Sequence, residues 1–221
     1  MSLLEFLTQY GGRFVTGTWV TVQQTALAAL LAVSIAAVMG LMRLSSHWPL
    51  RATAGVYIEI FRGTSLLVQL YWIFFVLPLL GLTLDKFWAG FMAVGMNLGA
   101  YGAEVVRGAI QAVPRGQFEA AYALGMTPLT RMGRIIFPQA LLIMIPPWGN
   151  LFIELLKATA LVSLISVADL MFQAKQINST TFLSVQAFGV ALLIYYILAR
   201  LVITPGMRSL EAMLARKMGR A

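Results

Sequence analysis

The chain is built from long apolar runs broken by short polar stretches. Crossing a bilayer takes a helix of roughly 20 mainly apolar residues. Such runs occur at about residues 23–42, 63–82, 87–106 and 185–203. A longer apolar stretch, residues 139–172, is kinked by Pro146 and Pro147 and punctuated by Lys157 and Asp169. Residues 1–10 carry a Leu3, Leu4, Phe6, Leu7 pattern that suits a short helix lying in the membrane interface. With Glu5 and no basic residue, that segment lacks the positive start of a cleaved signal peptide.

The distribution of basic residues decides how the long stretch divides. They crowd at Arg43 and Arg51, at Arg107, Arg115, Arg131 and Arg134, and at Arg208, Arg216, Lys217 and Arg220. Cytoplasmic loops are enriched in Lys and Arg. Placing all three groups in the cytoplasm requires an odd number of crossings and an N-terminus outside. The fourth crossing is then about residues 139–160, and residues 161–177 stay on the outer side or re-enter. A sixth span there would carry the basic C-terminus outside and is rejected. Arg13, Lys86 and Lys175 remain outside. The expected fold is an all-α integral membrane protein of five transmembrane helices, with the N-terminus outside and the C-terminus cytoplasmic. It is one domain over residues 1–221, with no internal repeat and no low-complexity linker. Gly90, Gly95, Gly99 and Gly102 stud the third run. They either let helix backbones approach closely or reflect the commonness of glycine in membrane helices.

Composition agrees. Hydrophobic residues make up 60% of the 221 and charged residues 11%, with a mean hydropathy of +0.83. Soluble domains are nearer half apolar and a quarter charged, so lipid is the expected solvent. The net charge of +8 is spread singly between apolar runs, which fits an anionic membrane face and not a nucleic acid. There is no cysteine, and the one histidine, His47, lies beside Trp48 and Pro49 in an expected loop. Neither a zinc nor a haem centre is expected.

The loop at about residues 113–138 is the most structured polar segment. It reads as two short helices joined by a tight turn. Pro114 can open the first, and Gly125 can close it with a positive φ. Thr127 and Pro128 form an N-cap and N1 pair for the second, and Pro138 marks a break into the fourth span. Phe118, Tyr122 and Leu129 are candidate apolar anchors, with Arg131 and Arg134 around them. Such a loop is either a docking surface or an amphipathic segment on the lipid.

Glu119-Ala120-Ala121, three residues, Gly125, nine residues, Ile135, one residue and Phe137-Pro138 resemble the EAA loop of ABC importer permeases. Phe137 stands where that pattern usually has leucine. Residues 61–70, 100–114, 138–140 and 150–170 are similar to permeases of the polar amino acid family, which take His, Glu, Gln, Arg or opines. Leu142 departs from the arginine many of them carry. Residues 149–163 resemble permeases for ectoine and hydroxyectoine, which are zwitterionic compatible solutes. The resemblance implies the type I importer permease (MetI-like) fold in a bacterial cytoplasmic (inner) membrane. In it Glu119, Ala120, Ala121, Gly125, Ile135 and Pro138 belong to the loop that couples to an ATPase. It further implies ATP-binding-cassette ATPase subunits carrying ATP and Mg, a second permease that is a copy or a paralogue, and a periplasmic or lipid-anchored solute-binding protein.

Three acid–base pairs lie at i, i+3: Glu59 with Arg62, Glu104 with Arg107, and Glu154 with Lys157. Unpaired charge at bilayer depth costs about 2.5–3.5 kcal/mol, so pairing is expected. The first two pairs suit helix ends, where side chains reach the interface. Glu154 and Lys157 follow the Pro146-Pro147 kink and Asn150, where a Glu/Lys face suits a zwitterion or serves as a structural pair. Thr159, Ser163 and Gln69 are further candidates for polar lining.

No phosphate-binding Gly-x-x-x-x-Gly-Lys-Ser/Thr loop is present, and one histidine with no cysteine builds no nucleophile set. The chain is not expected to be an enzyme or to bind a cofactor itself. Two other readings compete with the permease. One is a non-transporting scaffold or sensor subunit. The other is a channel or secondary carrier, which the lack of inverted repeats with broken helices disfavours.

Overall fold

The computed structural model describes residues 3–217. Met1 and Arg220, which belong to the sequence expectations above, lie outside the described residues. The described chain is helical, and its elements are α1 (Leu3–Arg43), α2 (Trp48–Gly63), α3 (Leu66–Tyr71), α4 (Lys86–Gln111), α5 (Arg115–Ala123), α6 (Pro128–Arg131), α7 (Phe137–Ala158), α8 (Leu170–Thr181), α9 (Ser184–Ile197) and α10 (Thr204–Lys217).

The separate interfacial helix expected at the N-terminus is not there. α1 runs unbroken for 41 residues, about 60 Å at 1.5 Å per residue. The expected first span is only its second half. The first half is held because Phe6 and Phe14 bury against α8 and α9, with Leu170, Ala174, Ile177, Ala187 and Val190. Along the rest of α1 the buried residues recur every three or four positions and are mostly small or polar: Gly17, Thr21, Gln24, Ala28, Ala32, Ala36 and Gly40. Gly17 and Thr21 of that narrow seam abut residues 169–173, the rest of it from Gln24 on meets α4, and the other faces of α1 stay largely apolar and exposed.

α4 is the hub, with 15 of its 26 residues buried. A Cβ on Gly95, Gly99 or Gly102 would come within 3.0 Å of Leu31, Ile35 or Trp148, so these glycines allow close helix approach. One apolar core joins α4 to α1, α3 and residues 155–167, and a second joins its other end to α1 and α7. Among the described residues three helices are long and apolar enough to cross a membrane: Leu3–Arg43, Pro128–Ile165 and Ser184–Arg216. A fourth arises if α2 and the segment Leu66–Leu80, bent by 104°, count as one span. α4 is not among them. Its glycines, Asn97 and Glu104 dilute its apolar character, and its neighbours shield it from lipid.

The expected second span, residues 63–82, breaks at Thr64 and Ser65, whose backbones are extended. The freed carbonyl of Phe61 accepts from Gln69 Nε2 at 3.0 Å and from Asn97 Nδ2 at 2.9 Å. Asn97 Nδ2 also donates to Gln69 Oε1 at 3.0 Å. Irregular backbone at this depth survives because protein groups satisfy it.

Pro138 does not break the chain as expected. The helix passes from α6 through a π turn, Met132–Ile136, into α7. Two further π turns, Trp72–Val76 and Leu198–Ile203, likewise end two residues before a proline, Pro78 and Pro205. Before Pro138, the Phe137 N–H reaches back to the Met132 carbonyl. The wider turn accommodates the ring and the missing donor without ending the helix. α7 also continues through Pro146 and Pro147. Beyond it come a 3₁₀ turn, Thr159–Ile165, and α8, which at 12 residues is too short to span.

Candidate functional site

The loop expected at 113–138 is a capped helix pair. α5 ends in a Schellman arrangement in which the Gly125 N–H donates to Tyr122 O at 2.9 Å and the Met126 N–H to Ala121 O at 3.1 Å. Gly125 sits at φ +69°, the left-handed region that favours glycine. Thr127 caps α6 by accepting from the Thr130 N–H at 3.3 Å, with Pro128 in the first helical position. Pro114 is the N-cap of α5, one position before the helix it was expected to begin.

The loop is fastened to the bundle from beneath. Ala121 and Ile136 are buried, and Phe118 and Ile135 pack against the core formed by Val106, Ile110, Ala140 and Trp148. Gln139 Nε2 donates to Gln117 Oε1 at 3.3 Å and to Ile135 O at 2.9 Å, which ties α5 to α7. Phe118 therefore faces inward and is not an outer anchor. Leu124 takes that place. Tyr122 is 75% exposed, Leu124 75% and Leu129 85%, and Glu119, Ala120 and Arg134 are exposed around them. Leu124, missed in the sequence, had only its position beside the helix cap to signal it.

A second feature lies along α7. Ile143, Pro147, Asn150, Glu154 and Lys157 are all exposed, at alternating spacings of four and three, so they form one face. Of the three acid–base pairs only Glu104–Arg107 closes, with Arg107 Nη2 donating to Glu104 Oε2 at 2.6 Å. Arg62 instead stacks on Tyr101, 5.2 Å from the ring centroid, and Glu59 is exposed. Glu154 and Lys157 share a face without pairing, so the expected structural bridge is absent.

Three other expected lining residues lie away from this stripe. Thr159 is buried and donates to Leu156 O at 2.7 Å, and Ser163, also buried, donates to Ala160 O at 2.8 Å. Gln69 serves the break between α2 and α3. A cavity of about 520 Å³ opens beside that break, lined by Phe61, Thr64, Gln69, Trp72, Met92 and Met96 among others. Asn97 was missed, although it is the one amide in an otherwise apolar and small-residue run.

Comparison with known proteins converges on one family. Residues 31–218 match the binding-protein-dependent transport system inner membrane component. A probable amino-acid ABC transporter permease of Sinorhizobium fredii is 43% identical over 216 residues, 95% of this chain and 90% of that relative. The L-cystine transport system permease of Bacillus subtilis is 42% identical over 74% of this chain and 70% of its own length. Among solved structures, an amino acid ABC transporter with histidines superposes with a TM-score of 0.88 at 38% identity, covering 96% of this chain and 99% of that one. A methionine ABC transporter in an inward-facing conformation shares the fold, with a TM-score of 0.81 at 19% identity. The named relatives are permease components of transport systems. The chain therefore belongs to the family of inner-membrane permease components of binding-protein-dependent ABC transport systems, and it is a multi-pass membrane protein.

Proposed function

We propose that this chain is the permease subunit of an ABC importer that moves an amino acid into the cytoplasm, and that residues 113–138 are its ATPase-coupling loop. One observation carries the reading. Tyr122, Leu124 and Leu129 project from a helix pair that is capped at Gly125 and Thr127 and bolted to α4 and α7 from below. A segment floating on lipid needs neither the caps nor the bolts, whereas a lever that transmits work must be rigid. Apolar side chains framed by Glu119 and Arg134 suit a groove on an ATPase subunit.

The topology that goes with this is five crossings, with the N-terminus outside and the loop and C-terminus cytoplasmic. α4 is then the third of these crossings, a helix lined by protein instead of lipid. ATP and Mg belong to the partner ATPase. The exposed stripe of Asn150, Glu154 and Lys157 is the wall of the solute path. Two unpaired charges on one face are expensive against hydrocarbon but suit a polar cleft facing a second permease. The free acid and the free base match the ammonium and carboxylate of an amino acid. A soluble binding protein delivers the solute, and closure of the ATPase pair moves the loops and exposes the path alternately.

The sequence resemblance to ectoine permeases is a finer reading than the relatives support. Those compared bear names for cystine, glutamine and arginine. An amino acid is thus the solute proposed, and ectoine and hydroxyectoine are comparison ligands in a thermal-shift assay of the binding protein. The decisive experiment replaces Gly125 by valine in the reconstituted complex. The expected result is a permease that inserts but neither imports solute nor stimulates ATP hydrolysis. Unchanged uptake would remove the coupling assignment, and uptake that persists without ATP would favour a carrier.

A further inference from the structure

Behind the end of the stripe remote from the coupling loop lies a second polar cluster, and this one is buried. Asp169 is fully buried and caps α8, its Oδ1 accepting from the Phe172 N–H at 2.8 Å. Its Oδ2 accepts from the Tyr195 hydroxyl of α9 at 3.4 Å. Thr21 of α1, also fully buried, accepts from the Leu170 N–H at 3.1 Å. A Cβ on Gly17 would stand 3.0 Å from Asp169 O, so α1 abuts this junction backbone to backbone. The Tyr195 hydroxyl also meets the side chains of Thr21 and Thr159. One carboxylate thus joins the 159–169 connector, α8 and α9, and α1 packs on the same junction through Gly17 and Thr21.

Capping alone does not account for an acid here. Asn or Ser caps a helix as well as Asp does, and a buried carboxyl is the more expensive choice. Burial pushes the Asp169 carboxyl up to about 6. What the acid adds is a second acceptor oxygen, and that oxygen takes Tyr195. Tyr195 in turn lines a cavity of about 320 Å³ together with Lys157, Ala160, Met171, Phe188 and Leu192. The wall of the Lys157 cavity is therefore held from behind by Asp169.

We propose that Asp169 is a positioning residue of the solute path. It acts through Tyr195 and the 159–169 connector to hold Lys157 in place at the end of the α7 stripe. When the importer changes state, this end must move as a body, because the junction of the connector with α8 is held to α1 through the Leu170 N–H and to α9 through Asp169. Loss of the Asp169–Tyr195 bond lets the connector move independently, so ATP is consumed without solute crossing. This inference rests on the stripe being the path, and the test reads the two separately.

The test uses the complete importer in liposomes, with its ATPase, second permease and binding protein. The solute is whichever of glutamine, cystine, arginine and ectoine that binding protein takes. Tyr195→Phe and Asp169→Asn are each expected to lower solute moved per ATP hydrolysed by about threefold, in line with the net value of one hydrogen bond. The double variant is expected to be no worse than either single one, because the two residues form one unit. A purely structural role changes melting temperature and yield but not that ratio. An unchanged ratio in Tyr195→Phe overturns the proposal, and if Asp169→Asn does not fold, Tyr195→Phe decides alone. The path itself is read by Asn150→Cys, in a chain with no other cysteine. Solute should protect that thiol from an impermeant reagent. A lowered ratio without protection keeps the positioning role and removes the path, whereas protection with an unchanged ratio does the reverse.

Discussion

The two ends of α7 are built on opposite principles. At the loop end the helix caps are satisfied locally, within a few residues, and large apolar side chains stand exposed. At the other end, charged side chains stand exposed without partners, and a carboxylate lies buried in a network that spans the chain. In each case the informative residue is out of place for its surroundings. Exposed leucine is ordinary along a lipid-facing helix but not on a loop in water. Exposed Glu and Lys are ordinary in water but not on a membrane helix. On the function proposed above, the first is the face for a protein partner and the second the wall of a polar cleft.

The largest effect should come from breaking the coupling end. Valine at position 125 must adopt φ +69° with a branched Cβ, which costs roughly 1–2 kcal/mol locally and distorts the lever. ATP-driven uptake should fall to background while membrane insertion, read by immunoblot of membranes, is retained. Next in size is the charge stripe. Glu154→Gln and Lys157→Met should each reduce uptake by about tenfold, near 1.4 kcal/mol, with little loss of folded complex. Should either variant melt at a much lower temperature with transport per folded complex intact, the charges are structural and the contrast between the two ends fails.

The docking face comes third. Leu129→Ala and Tyr122→Ala should weaken ATPase association by about 1–3 kcal/mol each, measured by co-purification titration. Phe118→Ala should instead lower the melting temperature, because that ring packs inward. A reversal of these two outcomes would show that the loop presents its other face. The smallest effect is expected for Thr127→Ala, which removes an N-cap worth about 1 kcal/mol. It should appear as faster hydrogen exchange confined to α6 and the turn before it.

What was legible in the sequence follows the same divide. Gly125, Thr127 and Pro128 sit in turns closed by bonds that span three to five positions, so their spacing already tells their roles. The long helices were legible from composition, except where proline was read as a stop. Pro138 lies just beyond a π turn, and that backbone adjustment leaves no mark in residue type. The inward turn of Phe118 depends on the core that α4 and α7 build beneath the loop, and no local pattern records that. Asp169 was visible only as an acid in an apolar stretch. Its partner Tyr195, and Thr21, which accepts from the adjoining Leu170 N–H, come from opposite ends of the chain and meet only in the fold. The unbroken α1 was missed for a similar reason, since Phe6 and Phe14 are buried by helices more than 150 positions later.

The most direct test of the central claim places a single cysteine on the exposed face of α5 by Ala123→Cys, in a chain with no other thiol. An impermeant maleimide is then applied to right-side-out and to inverted membrane vesicles. Labelling only in inverted vesicles, and its suppression when the ATPase subunit is bound, is the expected result. Labelling from the outer surface, or labelling in inverted vesicles that bound ATPase leaves untouched, would contradict a cytoplasmic coupling loop.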